Sequence, residues 1–191
     1  MQKNILTKEV TLGIFLIFFI LLTRVSHELT LLALPDASLI IFFAAGIFLK
    51  NIKWLLFFVC LIVGIDLYAI NANNMLHINL TFSYWVYVTT YLLSWYAGKE
   101  ILSGRPSLKT SIYIPTVLVV LLMAFIVSYS SHYFLSGWIN NPEFYGNLLF
   151  LKENLSSFLA TNLTYAIALL VSVKALELIK QSKSTKEFNA N

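Results

Sequence analysis

Residues 111–131 read SIYIPTVLVVLLMAFIVSYSS and contain no Asp, Glu, Lys or Arg. A helix needs about 20 predominantly apolar residues to cross a bilayer whose hydrocarbon core is about 30 Å thick. This stretch meets that requirement, so it predicts a membrane-spanning helix. Similar apolar runs, separated by short polar breaks, recur along the whole chain and predict an all-α membrane protein. Its six predicted spans are roughly 6–23, 36–50, 53–71, 82–98, 111–131 and 155–179.

The composition supports the same fold class. Of the 191 residues, 59% are hydrophobic and 12% are charged, and the mean hydropathy is +0.79. A soluble domain has about 25% charged residues. Residues 1–191 are therefore predicted to form a single integral membrane domain. The net charge of +4 does not indicate nucleic-acid binding, because the basic residues lie in short loops and at the termini.

The distribution of basic residues predicts the orientation of the bundle. Six spans place both termini on one side, together with the even-numbered loops. That side holds eleven of the thirteen Lys and Arg residues, and the other side holds only Arg24 and Lys152. Loops rich in Lys and Arg remain in the cytoplasm, so both termini are predicted to be cytoplasmic. The loops that face outward are then 24–35, 72–81 and 132–154.

Several classes of function lack their sequence signatures. There is no Walker A sequence, so the chain is not expected to hydrolyse ATP itself. There is no Cys/His zinc spacing and no nucleophile elbow. The single cysteine, Cys60, excludes an intramolecular disulfide.

Asp66 is the only carboxylate deep inside a predicted span. Counting from Trp54, it lies about 18 Å from the inner interface, in the outer half of the bilayer. An ionised Asp there costs at least about 2.5–3.5 kcal/mol, so a partner or water must compensate. Asp66 is therefore either a ligand anchor or proton carrier, or a hydrogen-bonding post between helices. Asp36, which follows Pro35 at the start of the second span, is interpreted as a helix cap.

Polar residues that could recognise a ligand concentrate on the outer side. All three histidines, His27, His77 and His132, lie there. The segment 71–81 adds four Asn residues beside His77, which offer donors and acceptors to a neutral polar ligand. The alternative interpretation is an ordinary turn, in which Asn is common.

Aromatic residues are also frequent near the outer side. Tyr84, Tyr87 and Tyr91 recur at positions i, i+3 and i+7, so they lie on one face of the fourth span. Such a face suits a large planar ligand, although each aromatic alone is equally typical of an interfacial anchor. The long aromatic loop at 132–154 is either a lid over an outward cavity or an amphipathic segment on the membrane surface.

Nearly the whole chain carries short motifs in a distinctive order. They are Leu22-Thr23-Arg24 with His27, Leu34-Pro35-Asp36-Ala37-Ser38, Phe42-Phe43-Ala44-Ala45-Gly46, Asp66-Leu67-Tyr68-Ala69-Ile70, Ser83-Tyr84, Tyr91, Trp95-Tyr96-Ala97-Gly98-Lys99, Tyr133-Phe134-Leu135-Ser136-Gly137 and Ser157-Phe158-Leu159. In this order and spacing the chain resembles the substrate-binding S-components of energy-coupling-factor (ECF) vitamin transporters. More narrowly, it resembles the BtuM-type solitary S-components, which are specific for cobalamin.

The resemblance implies a six-helix S-component bundle in the cytoplasmic membrane of a prokaryote. It implies uptake of cobalamin or a related corrinoid from the outer side, with the corrinoid as transported ligand and no cofactor of the protein's own. His27, Asp66 and Tyr84 would line the site. Tyr133, in one of the shared motifs, is a further candidate, as is Asn79.

One position departs from the family pattern. Where the best-studied members have a cobalt-ligating Cys linked to removal of the cyano group, this chain has Asn79. An amide oxygen is a much poorer ligand for cobalt than a thiolate, so no enzymatic activity is predicted. His77 lies two residues away and is a candidate substitute, since imidazole is a common metal ligand.

Three alternative functions stay open. The chain could be an S-component for another vitamin or small metabolite, a membrane-bound corrinoid-processing protein, or a structural subunit without a ligand. The expected partners are the corrinoid and the lipid bilayer, with or without an ECF energising module. Many S-components dock that module on small residues spaced four apart in the first helix. Here the first helix offers only Gly13, which favours a solitary mode or a divergent partner.

Overall fold

The computed structural model describes the backbone of residues 2–24, 36–72, 81–103 and 109–189. It describes the side chains of residues 9–24, 36–71, 81–103, 109–179 and 182. These parts of the chain contain helices and no strand, which confirms the all-α class. The helices are α1 (Gln2–Arg24), α2 (Ser38–Phe48), α3 (Ile52–Ala72), α4 (Phe82–Ala97), α5 (Thr110–Leu135) and α6 (Phe144–Asn189), and a wide π-helical turn, Gly98–Leu102, follows α4.

Three stretches within these helices are long and apolar enough to cross a membrane: Ile52–Asn71, Thr110–Leu135 and Phe144–Ile179. They expose apolar side chains, among them Val119 and Val171, each 60% exposed. Lipid covers such surface in helical membrane proteins. The described residues thus have the character of an α-helical membrane protein.

Helix α2 lies at the centre of the bundle. It has eleven residues, and all of its side chains from Ser38 to Ile47 are buried. A helix that is apolar on every side is stable only when it is enclosed on every side. At 1.5 Å per residue its length is about 16 Å, roughly half the thickness of a bilayer core.

Helices α2 and α4 approach each other closely at two glycines. A Cβ atom on Gly46 would overlap the backbone carbonyl of Trp95, and one on Gly98 would overlap the carbonyl of Phe43. Only glycine permits such an approach of two backbones. A hydrogen bond from Ser94 Oγ to the Leu39 carbonyl, 2.9 Å long, adds to this contact. The crossing fixes the start of α2 against the tyrosines of α4.

The prediction of a loop at 132–154 is wrong. Helix α5 continues to Leu135 and α6 begins at Phe144, so only residues 136–143 connect them. Polar residues at the helix ends hydrogen-bond to their own helix and do not interrupt it. Ser131 Oγ donates to the Ser128 carbonyl at 2.8 Å, and Asn154 Nδ2 donates to the Phe150 carbonyl at 2.7 Å.

Candidate functional site

Arg24, the last residue of α1, connects four helices. Its Nε and Nη2 atoms donate to the two carboxylate oxygens of Asp66 at 2.7 and 2.6 Å. Its Nη1 atom donates to Asp36 at 3.0 Å, to Ser38 Oγ at 3.1 Å and to the Tyr91 hydroxyl at 3.2 Å. A bidentate guanidinium–carboxylate pair is strong and directional. Arg24 therefore ties the end of α1 to α3, to the start of α2 and to α4.

Asp36 caps α2 and also contacts α4. Its Oδ1 atom accepts hydrogen bonds from the Ser38 backbone N–H at 2.9 Å and from the Ser38 hydroxyl at 2.5 Å. A carboxylate at this position satisfies a helix N–H group and interacts favourably with the helix dipole. Its Oδ2 atom lies 3.4 Å from the hydroxyls of both Tyr87 and Tyr91. The N-cap position itself is Ala37, so Asp36 performs the capping predicted from the sequence from one residue earlier, and it also makes an ion pair that was not foreseen.

Asp66 has protein partners for both carboxylate oxygens. The side chain is 16% exposed, and that of Arg24 is 11% exposed. In addition to the guanidinium, Asp66 Oδ2 accepts the Tyr84 hydroxyl at 2.8 Å. The compensation that a carboxylate needs inside a membrane therefore comes from Arg24 and Tyr84. Asp66 thus links α3 to α1 and α4 by hydrogen bonds, which is the structural role predicted as one alternative. A direct contact between Asp66 and a ligand stays a prediction.

A cavity of about 670 Å³ lies beside this cluster, between α4, α5 and α6. Typical small-molecule sites have volumes of about 300–1,000 Å³ and mostly apolar walls with a few polar groups. Asp36 lines the cavity at the start of α2. Six aromatic side chains from three helices form much of the remaining wall: Tyr84, Tyr87, Tyr129, His132, Phe150 and Phe158.

The polar residues of α5 and α6 line this cavity as helical stripes. Ser128, His132 and Ser136 are spaced four apart along α5 and at its end. Thr161 lies four residues after Ser157 on α6. Residues four apart share one face of a helix, so each helix turns one polar stripe toward the cavity. Apart from His132, none of these residues was proposed for the site from the sequence; Ser136 and Ser157 appeared only within the motifs of the resemblance, although the spacing was a usable signal.

Two predicted site residues occupy different positions relative to the cavity. Tyr84 lines it directly, near the start of α4. Asp66 is not in the lining and is connected to it through its hydrogen bond to Tyr84 and, by way of Arg24, to Asp36. The remaining predicted residues of the outer loops, His27, His77 and Asn79, lie outside the described residues.

Tyr133 lies behind the cavity wall. It is 8% exposed, within α5, and its ring centroid is 5.7 Å from that of Phe150. A Cβ atom on Gly146 would overlap its hydroxyl, so this glycine makes room for it. The expected position of Tyr133 in a loop is wrong because α5 continues past it to Leu135. Its contact with a ligand stays a prediction.

The short connection between α5 and α6 does reach the cavity. Trp138, which is 68% exposed, lines the opening. The His132 ring lies 5.9 Å from Trp138 and 6.3 Å from Phe150 between centroids. Of the segment predicted as a lid, only residues 136–143 lie outside the helices, so a lid would consist of this connection alone.

Within the described side chains, no group of three His, Cys, Asp or Glu residues is placed to hold a metal ion. The chain matches no protein-family model and no curated protein sequence.

Proposed function

We propose that the chain is a membrane-embedded binding protein of the S-component type. It captures a corrinoid, cobalamin or a close relative, in the cavity between α4, α5 and α6. The observation that carries this proposal is the composition of the cavity, where aromatic side chains from three helices meet hydroxyl groups and one carboxylate. A corrinoid has a broad ring with apolar faces and a rim of polar amides, and this combination of groups matches both.

The positions of the site residues along their helices support an outward-facing site. Arg24 ends α1, Asp36 precedes α2, and Tyr84 lies near the start of α4. His132 lies near the end of α5, and Phe150 lies near the start of α6. With six spans, all these helix ends fall on one side of the membrane. The distribution of Lys and Arg favours that side as the outer one, with both termini in the cytoplasm.

Different residues would contact different parts of the corrinoid. Aromatic rings would pack on the faces of the corrin ring, and the Tyr84 hydroxyl would contact its amides while Asp66 holds that hydroxyl in place. His27, His77 and Asn79 would approach from the outer loops. The bound corrinoid would then reach the cytoplasm by reorientation of the bundle, with or without an energising module. That transport step rests on the family resemblance.

The size of the cavity favours a second candidate, an S-component for a smaller vitamin. Its volume of about 670 Å³ suits a drug-sized ligand. A corrinoid is larger than such ligands, so part of it would extend beyond the cavity toward the outer loops. A smaller vitamin would be enclosed by the described walls alone.

Titration calorimetry of the purified full-length protein with cyanocobalamin and cobinamide tests the proposal. We expect one corrinoid to bind per chain, and the protein purified from corrinoid-grown cells to carry cobalt and the red absorption of the ligand. Absence of binding by both corrinoids would refute the corrinoid assignment. A screen of smaller vitamins would then test the second candidate. A cyanocobalamin spectrum that changes over hours on the protein would instead favour a corrinoid-processing activity.

A further inference from the structure

We propose that this cavity selects ligands whose polar groups donate hydrogen bonds, such as primary amides or protonated amines. It discriminates against ligands that carry carboxylates at the same positions. This inference rests on the proposed function, that the cavity binds an organic ligand, and it specifies the chemistry of the ligand's polar groups. Two separate features carry it: the charge balance at the α2 edge of the cavity, and a buried amide oxygen on α6.

The charge balance at the α2 edge is negative. Two carboxylates, Asp36 and Asp66, share one guanidinium, that of Arg24, which leaves a formal charge of −1 on the cluster. Asp66 takes two of the guanidinium hydrogen bonds, and Asp36 receives one at 3.0 Å. Asp36 is the more exposed carboxylate, at 34%, and it lines the cavity. A ligand carboxylate would be repelled there, and an N–H donor would be attracted.

No cationic side chain of the described residues offsets this charge within the cavity. Among the residues that the structure describes, the lining includes neither Lys nor Arg. Arg24 itself lies behind Asp36, with a side chain that is 11% exposed. An anionic ligand group would therefore find no described counter-charge on the wall. Sites that bind phosphate or carboxylate usually supply such a charge from Arg or Lys.

Three of the hydroxyl groups that line the cavity from α4 and α5 already donate their hydrogen within the protein. Tyr84 donates its hydrogen to Asp66 at 2.8 Å. Thr90 and Ser128 each donate to a backbone carbonyl of their own helix at 2.6 Å. A hydroxyl has one hydrogen and two lone pairs, so after donating it offers a ligand only an acceptor. These three residues therefore offer the ligand further acceptors beside the carboxylate.

Asn162 supplies the second feature. It lines the cavity from α6 and is 5% exposed. Its Nδ2 atom donates to the Phe158 carbonyl at 3.0 Å, while its Oδ1 atom is buried with no hydrogen-bond partner among the described residues. A buried acceptor without a partner is costly and most are satisfied in native structures. A ligand N–H group that reaches this wall would satisfy the oxygen, whereas an ionised carboxylate has no hydrogen to donate.

Cobinamide and cobyrinic acid form a suitable pair of probes for titration calorimetry on the full-length protein. They share the corrin ring, but cobinamide carries primary amides where cobyrinic acid carries carboxylates. Near neutral pH those carboxylates are ionised, and low salt keeps the charge effect unscreened. We expect cobinamide to bind at least tenfold more tightly. In Asp36→Asn, the ratio of the two affinities should fall toward one. A loss of folded protein would affect both ligands equally and leave the ratio unchanged.

Asn162→Leu and Asn147→Leu compare two asparagines of α6, one that lines the cavity and one that does not. Asn147 is also 5% exposed, and its Oδ1 atom likewise has no partner among the described residues, but it does not line the cavity. We expect Asn162→Leu to weaken cobinamide binding by about two- to tenfold, the effect of one hydrogen bond. Asn147→Leu should leave the affinity unchanged. An equal loss in the two variants would overturn the role of Asn162.

Equal affinities for the two corrinoids in the wild type, or tighter binding of cobyrinic acid, would overturn the inference and leave the corrinoid proposal standing. If neither corrinoid binds, the corrinoid proposal fails, and benzamide and benzoate then decide the inference. Each would be added at millimolar concentration, with thermal unfolding as the readout. Stabilisation by benzamide alone supports the selection of donors. No stabilisation by benzamide, or equal stabilisation by both, overturns it.

Discussion

Replacing Asp66 by Ala perturbs the central ion pair of the bundle. The substitution removes the acceptor of two guanidinium hydrogen bonds, at 2.7 and 2.6 Å, and of the Tyr84 hydroxyl at 2.8 Å. Removing one partner of a buried pair costs about 3–5 kcal/mol, because the other charge is left uncompensated. Arg24 retains Asp36 at 3.0 Å. We therefore expect the free energy of unfolding to fall by about 3 kcal/mol, the lower end of that range.

Unfolding in mixed micelles, with increasing denaturing detergent, gives the free energy of unfolding. The four tryptophans provide the fluorescence readout. A double-mutant cycle with Arg24→Met isolates the pair, since the double variant removes both charges together. Residues in direct ionic contact give interaction energies of about 0.5–3 kcal/mol. For this bidentate pair we expect a value above about 2 kcal/mol.

Glu100→Ala serves as the control for the loss of a charge. Glu100 lies 3.9 Å from Lys99, and their side chains are 50% and 37% exposed. Exposed pairs contribute about 0–1 kcal/mol. If Asp66→Ala destabilises the protein no more than Glu100→Ala does, the buried ion pair does not hold α3 against its neighbours and the reasoning is refuted.

Two other substitutions, and a second measurement on Asp66→Ala, have defined outcomes. Tyr84→Phe removes one hydrogen bond to a charged acceptor, so the free energy of unfolding should fall by about 1.5 kcal/mol, measured in the same micelles. Gly46→Ala places a methyl group on the Trp95 carbonyl and should destabilise the protein by about 1–3 kcal/mol. Its control, Gly64→Ala, meets no atom within 4 Å and should be neutral or stabilising by thermal melting. Asp66→Ala should also weaken corrinoid binding by more than about tenfold in calorimetry, because Tyr84 loses its anchor, and an unchanged affinity would remove Asp66 from the site.

The helices could be predicted from the sequence because apolar runs of membrane length have few other structures available to them. Their ends could not, because hydropathy falls at the first polar residues while the backbone remains helical. At the end of α5, Ser131 continues the helix by hydrogen-bonding to the carbonyl of Ser128. Helix α6 likewise begins at Phe144, well before the start predicted at residue 155, because the backbone is already helical across the polar residues that precede the apolar run.

The polar cluster was visible in the sequence only as separate residues. Asp66 stood out as a carboxylate in an apolar span, and Arg24 as a basic residue on the outer side. The two are 42 positions apart, and their pairing depends on which helix ends are neighbours in space. The serines and threonines of the cavity were harder to recognise, because such residues in apolar helices commonly hydrogen-bond to their own backbone. Only the spacing of four residues between them indicates that they share one face of a helix.

Filling the cavity is the most direct test of its role as the ligand site. Thr161 lines the cavity on α6, whereas Thr164 on the same helix is exposed and does not line it. The affinity of each tryptophan variant for cyanocobalamin would be measured by calorimetry beside the wild type. We predict that Thr161→Trp weakens binding by at least about tenfold, equivalent to about 1.4 kcal/mol, and that Thr164→Trp has no effect. Wild-type affinity in Thr161→Trp would contradict the assignment of this cavity as the site.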